Sequence, residues 1–270
     1  MVPTESSTDV DVLVIGAGPA GVMCANGLAR YGVKVRTIDQ SASALKGGQA
    51  DGIQPRTIEV LQSYGLADRL LREGNHLYMA VTLHQGRIES LFLDSMAAYG
   101  AHVDRSTVPT SIEVAEDPFV LDNPSSHPVK VSLRRLDDPS GSNSETINCK
   151  YVVACDGAHS WTRKALGIPM EGEQLEFVWG VVDTVPVTNF PDIRVQCAIH
   201  GKHGSVMLVP REGDSVRFYV QLTRSAVGVD GRADKSKVSV ASLLEAARAA
   251  MTGYTLDWSN EIEWRVDSFL

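Results

Sequence analysis

Apolar positions along the chain change period several times, and each change predicts an element. Residues 12–15 are an unbroken apolar run, short enough to be a strand of a buried parallel sheet, and residues 33–38 return as a second strand. Between them, residues 19–31 have the length and flanks of a helix, with Pro19 at its start and Gly32 at its stop. Ile58, Leu61 and Tyr64 place one apolar face on a helix that Pro55 opens and Gly65 ends. Residues 82–100 repeat that pattern through Ile88, Leu91, Phe92, Met96 and Tyr99. Strands are predicted at 110–115, 129–136 and 146–154, with the turn-rich stretch 137–144 joining the last two. Residues 151–155 run into Asp156-Gly157, and Ser160 and Arg163 lead on into a helix closed by Gly167 and Pro169. From Gln174 the pattern alternates in 177–184, 194–200, 205–209 and 216–222, as in an antiparallel sheet. One amphipathic helix over 235–254 follows, then Trp258 and Trp264.

The first of these units carries chemistry. Gly16, Gly18 and Gly21 follow the strand directly, in the spacing G-x-G-x-x-G. Gly16 suits a tight turn, Gly18 lets backbone approach a pyrophosphate, and Gly21 lets the helix pack close to the strand. With Ala17, Pro19 and Ala20 between them, these residues form a cradle for phosphate at a helix N-terminus. Asp39 ends the second strand about 20 residues on, where an acid accepts hydrogen bonds from a ribose hydroxyl, with Gln40 beside it. This is a dinucleotide site. NAD and FAD share the adenosine diphosphate half that it reads, so the motif does not choose between them.

Composition narrows the class. The chain has 270 residues, 43% of them hydrophobic, and a formal charge of -8, with no Lys/Arg cluster. That excludes a nucleic-acid footprint and a disordered chain. No early apolar run is long enough for a signal-peptide core or a membrane span, so we expect a soluble, cytoplasmic protein that neither crosses a membrane nor binds nucleic acid. Cys24, Cys149, Cys155 and Cys197 form no metal-like spacing with the seven histidines, and no metal site is expected.

Other candidates are ambiguous when read locally. Asp51 lies in a glycine loop with Gly47, Gly48 and Gly52, and Arg56 lies five positions on; a turn aspartate is the plainer reading. Gln85 could face a ligand or merely begin a solvated helix. Asp156-Gly157 stands at a strand end, where open α/β sheets bind ligands, but it is also a common turn dipeptide. Tyr219 shares a strand face with Arg217, and a tyrosine there is often only packing.

Taken together, the glycine motif, Ala50-Asp51-Gly52 with Gln54-Pro55-Arg56, the stretch LHQGRIE, and Cys155-Asp156-Gly157-Ala158-His159-Ser160-x-x-Arg163 resemble the flavin-dependent aromatic hydroxylases. Within that group the chain is most similar to the phenol 2-monooxygenase branch, especially its fungal members. Pro210-Arg211-Glu212 followed by Arg217-Phe218-Tyr219 extends the likeness. The resemblance implies an α/β fold: an FAD-binding, doubly wound parallel sheet with an interleaved, mostly antiparallel substrate domain, residues 1–173 and 174–270. It implies FAD on Gly16 to Gly21, Asp39, Gln85, Asp156 and Gly157, with Arg217 and Tyr219 toward the flavin, and NAD(P)H as co-substrate. Asp51, Arg211 and Tyr219 would be catalytic, Asp51 helping to deprotonate a phenol whose ortho carbon then attacks a flavin C4a-hydroperoxide. The substrate would be a small aromatic, in a fungal secondary pathway or a simpler one. Assembly with a second copy or a partner chain stays open.

The family's Gly-Asp motif and thioredoxin-like domain do not occur in these 270 residues, and the junction 79–82 is shorter than the family pattern. We therefore expect a shortened chain that holds FAD weakly by itself. A non-catalytic remnant or partner subunit is the second reading, and an NAD-dependent dehydrogenase a third.

Overall fold

A computed structural model of the chain describes residues 9–45, 51–78, 80–138, 144–172, 178–222 and 238–268, the side chains of 260, 261 and 263–268 excepted. In chain order the first elements are β1 (Val10–Ile15), α1 (Pro19–Arg30), β2 (Val35–Ile38), β3 (Gly52–Ile53), α2 (Pro55–Ser63), α3 (Ala67–Glu73), β4 (Asn75–Leu77) and β5 (Ala80–Thr82). Then come α4 (Gln85–Ala98), β6 (Val103–Asp104), β7 (Thr107–Val114), α5 (Pro118–Leu121), β8 (Val129–Arg135), β9 (Ser144–Ala154) and α6 (Trp161–Ala165). The last are β10 (Val178–Thr188), β11 (Cys197–Gly201), β12 (Gly204–Pro210), β13 (Val216–Leu222), α7 (Val240–Ala250) and β14 (Leu256–Ser268).

They form two compact units. One is Met1–Gly47 with Gln85–Met170, the other Gly48–His84 with Glu171–Leu270. A single cut after 173 assigns 48–84 to the first unit, whereas its hydrogen bonds tie it to the second: Thr82 Oγ1 donates to the Pro210 carbonyl at 3.0 Å and the His84 N–H to Glu212 Oε1 at 2.6 Å.

The first unit is a mixed sheet in the order β6-β2-β1-β9-β8-β7. β6, β2, β1 and β9 run parallel, and β8 and β7 continue antiparallel from β9. β1 lies between β2 and β9, so the chain leaves it to one side through α1 and returns on the other. Such a switch point opens a crevice at the carboxyl ends of the strands. Alternation along β1 sends Val12 and Val14 against Ala25 and Ala29 of α1 and Met96 of α4. Leu13 and Ile15 pack on the opposite face with Val131, Leu133 and Ile147.

The second unit holds an antiparallel sheet in the order β11-β12-β13-β10-β14. One face packs on α7 through Val182, Leu208, Phe218, Leu243 and Ala247. Gly180 is what lets α7 close: a Cβ there would fall 2.1 Å from a methyl of Leu243. Trp179, Asp183, Met207, Arg217 and Tyr219 occupy the alternate positions, on the other face. A three-stranded sheet, β3-β5-β4, accompanies α2 and α3 in the same unit.

Several elements depart from expectation. The helix placed at 82–100 starts at Gln85, because Val81 and Thr82 pair with Ile53 and Gly52 and the Leu83 N–H donates to the Asp51 carbonyl. The junction at 79–82 is strand β5, with Met79 itself outside the described residues. The last helix is Val240–Ala250 where 235–254 is expected, and 235–237 lies outside the described residues. The same holds for 139–143 of the hairpin tip, for 46–50 of the glycine loop and for Gln174. α3 and β14 carry no pattern that separates them from their surroundings, and neither is anticipated.

Candidate functional site

Gly16 turns the chain out of β1 at φ +99°, a conformation open to glycine. A Cβ on Gly16 would lie 2.4 Å from the Cys155 carbonyl oxygen, and one on Gly21 would lie 1.9 Å from the Gly16 oxygen. Both glycines are therefore required by close backbone packing. Gly18 differs: nothing lies within 4 Å of its ideal Cβ. It is the N-cap of α1, no side chain caps that end, and the first turn contains no acid. The first-turn N–H groups of α1, which have no acceptor within the helix, thus end beside the space open at Gly18. Ala17 is buried at the base of the turn and Ala20 is exposed on it.

Asp39 reaches the same turn. Its Oδ2 accepts from the Ala17 N–H at 2.7 Å and its Oδ1 from the Ser41 N–H at 2.8 Å, with Arg105 Nη1 at 3.5 Å. Each oxygen keeps a second lone pair. Gln40 follows, exposed. On the other side of β1, Asp156 Oδ2 accepts from the N–H and Oγ1 of Thr162 at 2.9 and 3.1 Å. Burial works against its charge, but hydrogen bonds from Ser160 and Thr162 prevail and hold the carboxyl below its ordinary range. Gly157 makes the turn at φ +77°. Gly16, Asp39 and Asp156 thus meet at the carboxyl ends of β1, β2 and β9. Gln85 opens α4 and its Nε2 donates to Oε1 of the buried Glu89 at 3.0 Å.

The second unit contains a cluster of charges under cover. Asp183 and Arg217 are register partners on β10 and β13. Arg217 Nε donates to Asp183 Oδ1 and its Nη2 to Oδ2, both at 2.7 Å, a bidentate fork. Arg211 Nη1 donates to the same Oδ2 at 2.7 Å. Asp51 Oδ2 lies 3.1 Å from Arg211 Nε and 3.3 Å from Arg217 Nη1. These are ion pairs by distance, yet neither Asp51 Oδ2 nor Arg211 Nε makes an aligned hydrogen bond among the described residues. Asp51 is 5% exposed and Arg217 1%. Burial pushes the Asp51 carboxyl above its ordinary value; Arg217 and Arg211 pull it down without reversing the shift. Arg217 is held more firmly protonated than a free guanidinium: burial opposes its charge, and Asp183 and Asp51 outweigh that. Its guanidinium sits 6.0 Å from the Tyr219 ring centroid. Tyr219, with Trp179, Met207, Ala198 and His200, also borders a cavity of about 260 Å³ on the same unit.

A family model described as FAD binding domain matches residues 9–120 and 125–268. The chain belongs to the FAD binding domain family. It is similar to phenol 2-monooxygenase fsqG of Aspergillus fumigatus, 35% identical over 97% of this chain and 46% of that protein. 3-Hydroxybenzoate 4-monooxygenase of Comamonas testosteroni is 31% identical over 96% of this chain and 45% of its own length. The chain thus spans just under half the length of each of these two relatives. Among solved structures, aklavinone-11 hydroxylase in complex with FAD and aklavinone superposes with TM-score 0.71 at 20% identity, over 96% of this chain and 54% of that one. p-Nitrophenol 4-monooxygenase of Pseudomonas putida gives 0.72 at 16% identity, over 96% and 68%. These two show the fold.

The residues present fit the cofactor of the FAD-binding family. The space at Gly18 and the uncapped end of α1 suit a pyrophosphate, and no carboxylate in the first turn of α1 competes for it. Sequence reasoning missed Asp183, Thr162 and Arg105. For Asp183 there was a signal: it is the one charge in the apolar stretch VWGVVDTV, as Arg217 is in VRFYVQL. Among the described residues no helix is long and apolar enough to cross a membrane. The four cysteines are free, burial raising each thiol and pushing Cys149 up to about 11.

Proposed function

We propose that this chain is the FAD- and substrate-binding part of a monooxygenase that hydroxylates a small phenolic or other aromatic substrate with NAD(P)H and O₂. The observation that carries this is Asp51: a buried carboxylate, disfavoured as an anion, set against the guanidiniums of Arg217, on the strand that also carries Tyr219, and of Arg211, just after β12. A carboxylate in that setting is a competent acceptor for a phenolic proton. Once the proton has moved, the phenolate charge faces Arg211 and Arg217, and the electron-rich ring is ready to attack an electrophilic oxygen. FAD, when bound and reduced, supplies the activated oxygen.

Gly16 to Gly21 and the α1 terminus would hold the pyrophosphate, Asp39 the ribose, and Gln85, Asp156 and Gly157 further parts of the cofactor, with Arg217 and Tyr219 toward the flavin. The names of the relatives, which print phenol and 3-hydroxybenzoate as their substrates, support an aromatic substrate. Free thiols without a disulfide support a reducing, cytoplasmic setting.

The test is NAD(P)H oxidation by the FAD-loaded protein across a panel of phenols, with hydroxylated product measured alongside. We expect a phenol to accelerate oxidation, and Asp51→Asn to slow product formation about 100-fold or more with FAD still bound. If FAD binds fully and no phenol changes the rate, the proposal fails; if Asp51→Asn loses FAD in parallel, Asp51 is a structural turn residue.

A further inference from the structure

Four charged side chains share the buried cluster, two guanidiniums and two carboxylates, so their formal charges cancel. Their hydrogen bonds are distributed unequally. Asp183 receives three, all at 2.7 Å, from both arginines. Asp51 Oδ2 receives no aligned one, although Arg211 Nε and Arg217 Nη1 stand at 3.1 and 3.3 Å. Anchoring explains the difference. Asp183 stands in β10, paired by backbone to β13 on one side and β14 on the other, directly opposite Arg217. Asp51 only precedes the two-residue strand β3, held by its carbonyl to the Leu83 N–H.

We propose that Asp183 is a positioning residue: it takes the aligned donors of Arg211 and Arg217 and so leaves Asp51 as the carboxylate that exchanges a proton. The proposal rests on the role given to Asp51 above. The forked Asp183 has charge-assisted hydrogen bonds to lose, whereas Asp51 has no aligned bond at Oδ2 to give up when it takes a proton. The other groups around Asp51 do not change the ordering. Glu212 Oε2 stands 3.4 Å from Arg211 Nε while its Oε1 accepts from the His84 N–H. Burial acts first to raise Asp51, the two arginines lower it, and Asp183 and Glu212 raise it further. Tyr219 lies beside Arg217, and on β4 the ring of His76 meets the Leu71 carbonyl at 2.7 Å.

The experiment titrates the Asp51 side-chain carboxyl by ¹³C NMR in the labelled 270-residue chain, the signal assigned by its loss in Asp51→Asn. Asp183→Asn should move the Asp51 midpoint down, because a neighbouring anion is gone and both guanidiniums turn to Asp51. Asp183→Glu should bring it back toward the wild-type position. A purely structural role for Asp183 would lower the unfolding temperature and leave that midpoint where it was. A midpoint that stays or rises in folded Asp183→Asn overturns the proposal. Should that variant fail to fold, the wild type decides. Exchange of the Arg217 Nε–H should stay slow through the pH range in which Asp51 titrates, since its acceptor is Asp183; acceleration that tracks the Asp51 midpoint overturns the proposal equally. Neither readout needs FAD or a phenol. The ordering of the two carboxylates can therefore fail while the hydroxylase reading stands, and the reverse.

Discussion

At the carboxyl end of β1 the chain presents backbone: a glycine turn, the bare end of α1, and acids held by N–H groups and hydroxyls. Around β10 and β13 it presents side chains: Asp183 and Arg217 on those strands, with Arg211 just after β12 and Asp51 just before β3, all removed from water. In the first region backbone N–H groups align on the carboxylates, and Asp156 is held below its ordinary range. In the second the carboxylate of Asp51 is pushed the other way. Binding an anion needs stable donors in fixed places. Moving a proton needs an acid whose charged form is only barely supported, and burial beside imperfectly aligned cations provides that.

Five substitutions sharpen this contrast. The largest effect should come from Arg217→Met, which leaves Asp51 and Asp183 buried with one guanidinium between them. We expect a loss of about 3–5 kcal/mol in urea unfolding; a loss below about 1 kcal/mol would mean that the cluster is not a tied network. Gly21→Ala should follow, destabilising by about 1–3 kcal/mol, because its Cβ would meet the Gly16 carbonyl oxygen. Gly18→Val should cost about 1 kcal/mol or less, from the poorer N-cap alone. Yet it should abolish FAD binding in equilibrium dialysis, since the side chain would fill the space left open there. Unchanged affinity would remove the pyrophosphate from this turn.

The smallest effect is one of sign. Asp156 has its pKa lowered by folding, so its contribution to stability is present above the unfolded value near 3.8 and is lost as pH falls. Asp51 has its pKa raised, so the folded state holds more protons than the unfolded one in the window just above 3.8. Its contribution is complete below the unfolded value and is lost as pH rises through the folded one. Asp156→Asn should flatten the acid limb of a stability-pH curve, and Asp51→Asn the loss on the rising side. Two curves that change on the same limb would erase the distinction between the regions.

The same contrast decides what could be read from the sequence. Gly16, Gly18 and Gly21 act through backbone geometry, so their spacing, read with the apolar run before them and the helix flanks after, marked the β1-α1-β2 unit and gave Gly18 the open role and Gly21 the packing one. Asp51 could not be told from a turn aspartate, because its partners lie on β10, on β13 and after β12, and only the resemblance to aromatic hydroxylases singled it out. Asp183 went unnoticed for the same reason: its meaning depends on a register that pairs it with Arg217. β5 was read as a junction, with Thr82 given to the following helix, because three residues are too few to show a period, and their pairing with β3 is what fixes them.

The hydrogen bond from Thr82 to Pro210 spans 128 positions, and residues 85–170 of the other unit are made in between. Order of synthesis therefore matters. The parallel sheet has all its strands once β9 has left the ribosome, whereas Asp51 is made early in translation and can meet neither Arg211 nor Arg217 until residues beyond β12 emerge. Closing so long a loop is slow compared with forming a local helix. The segment 51–84 therefore waits through the synthesis of the rest of the first unit before its contacts with Pro210, Arg211 and Arg217 can form.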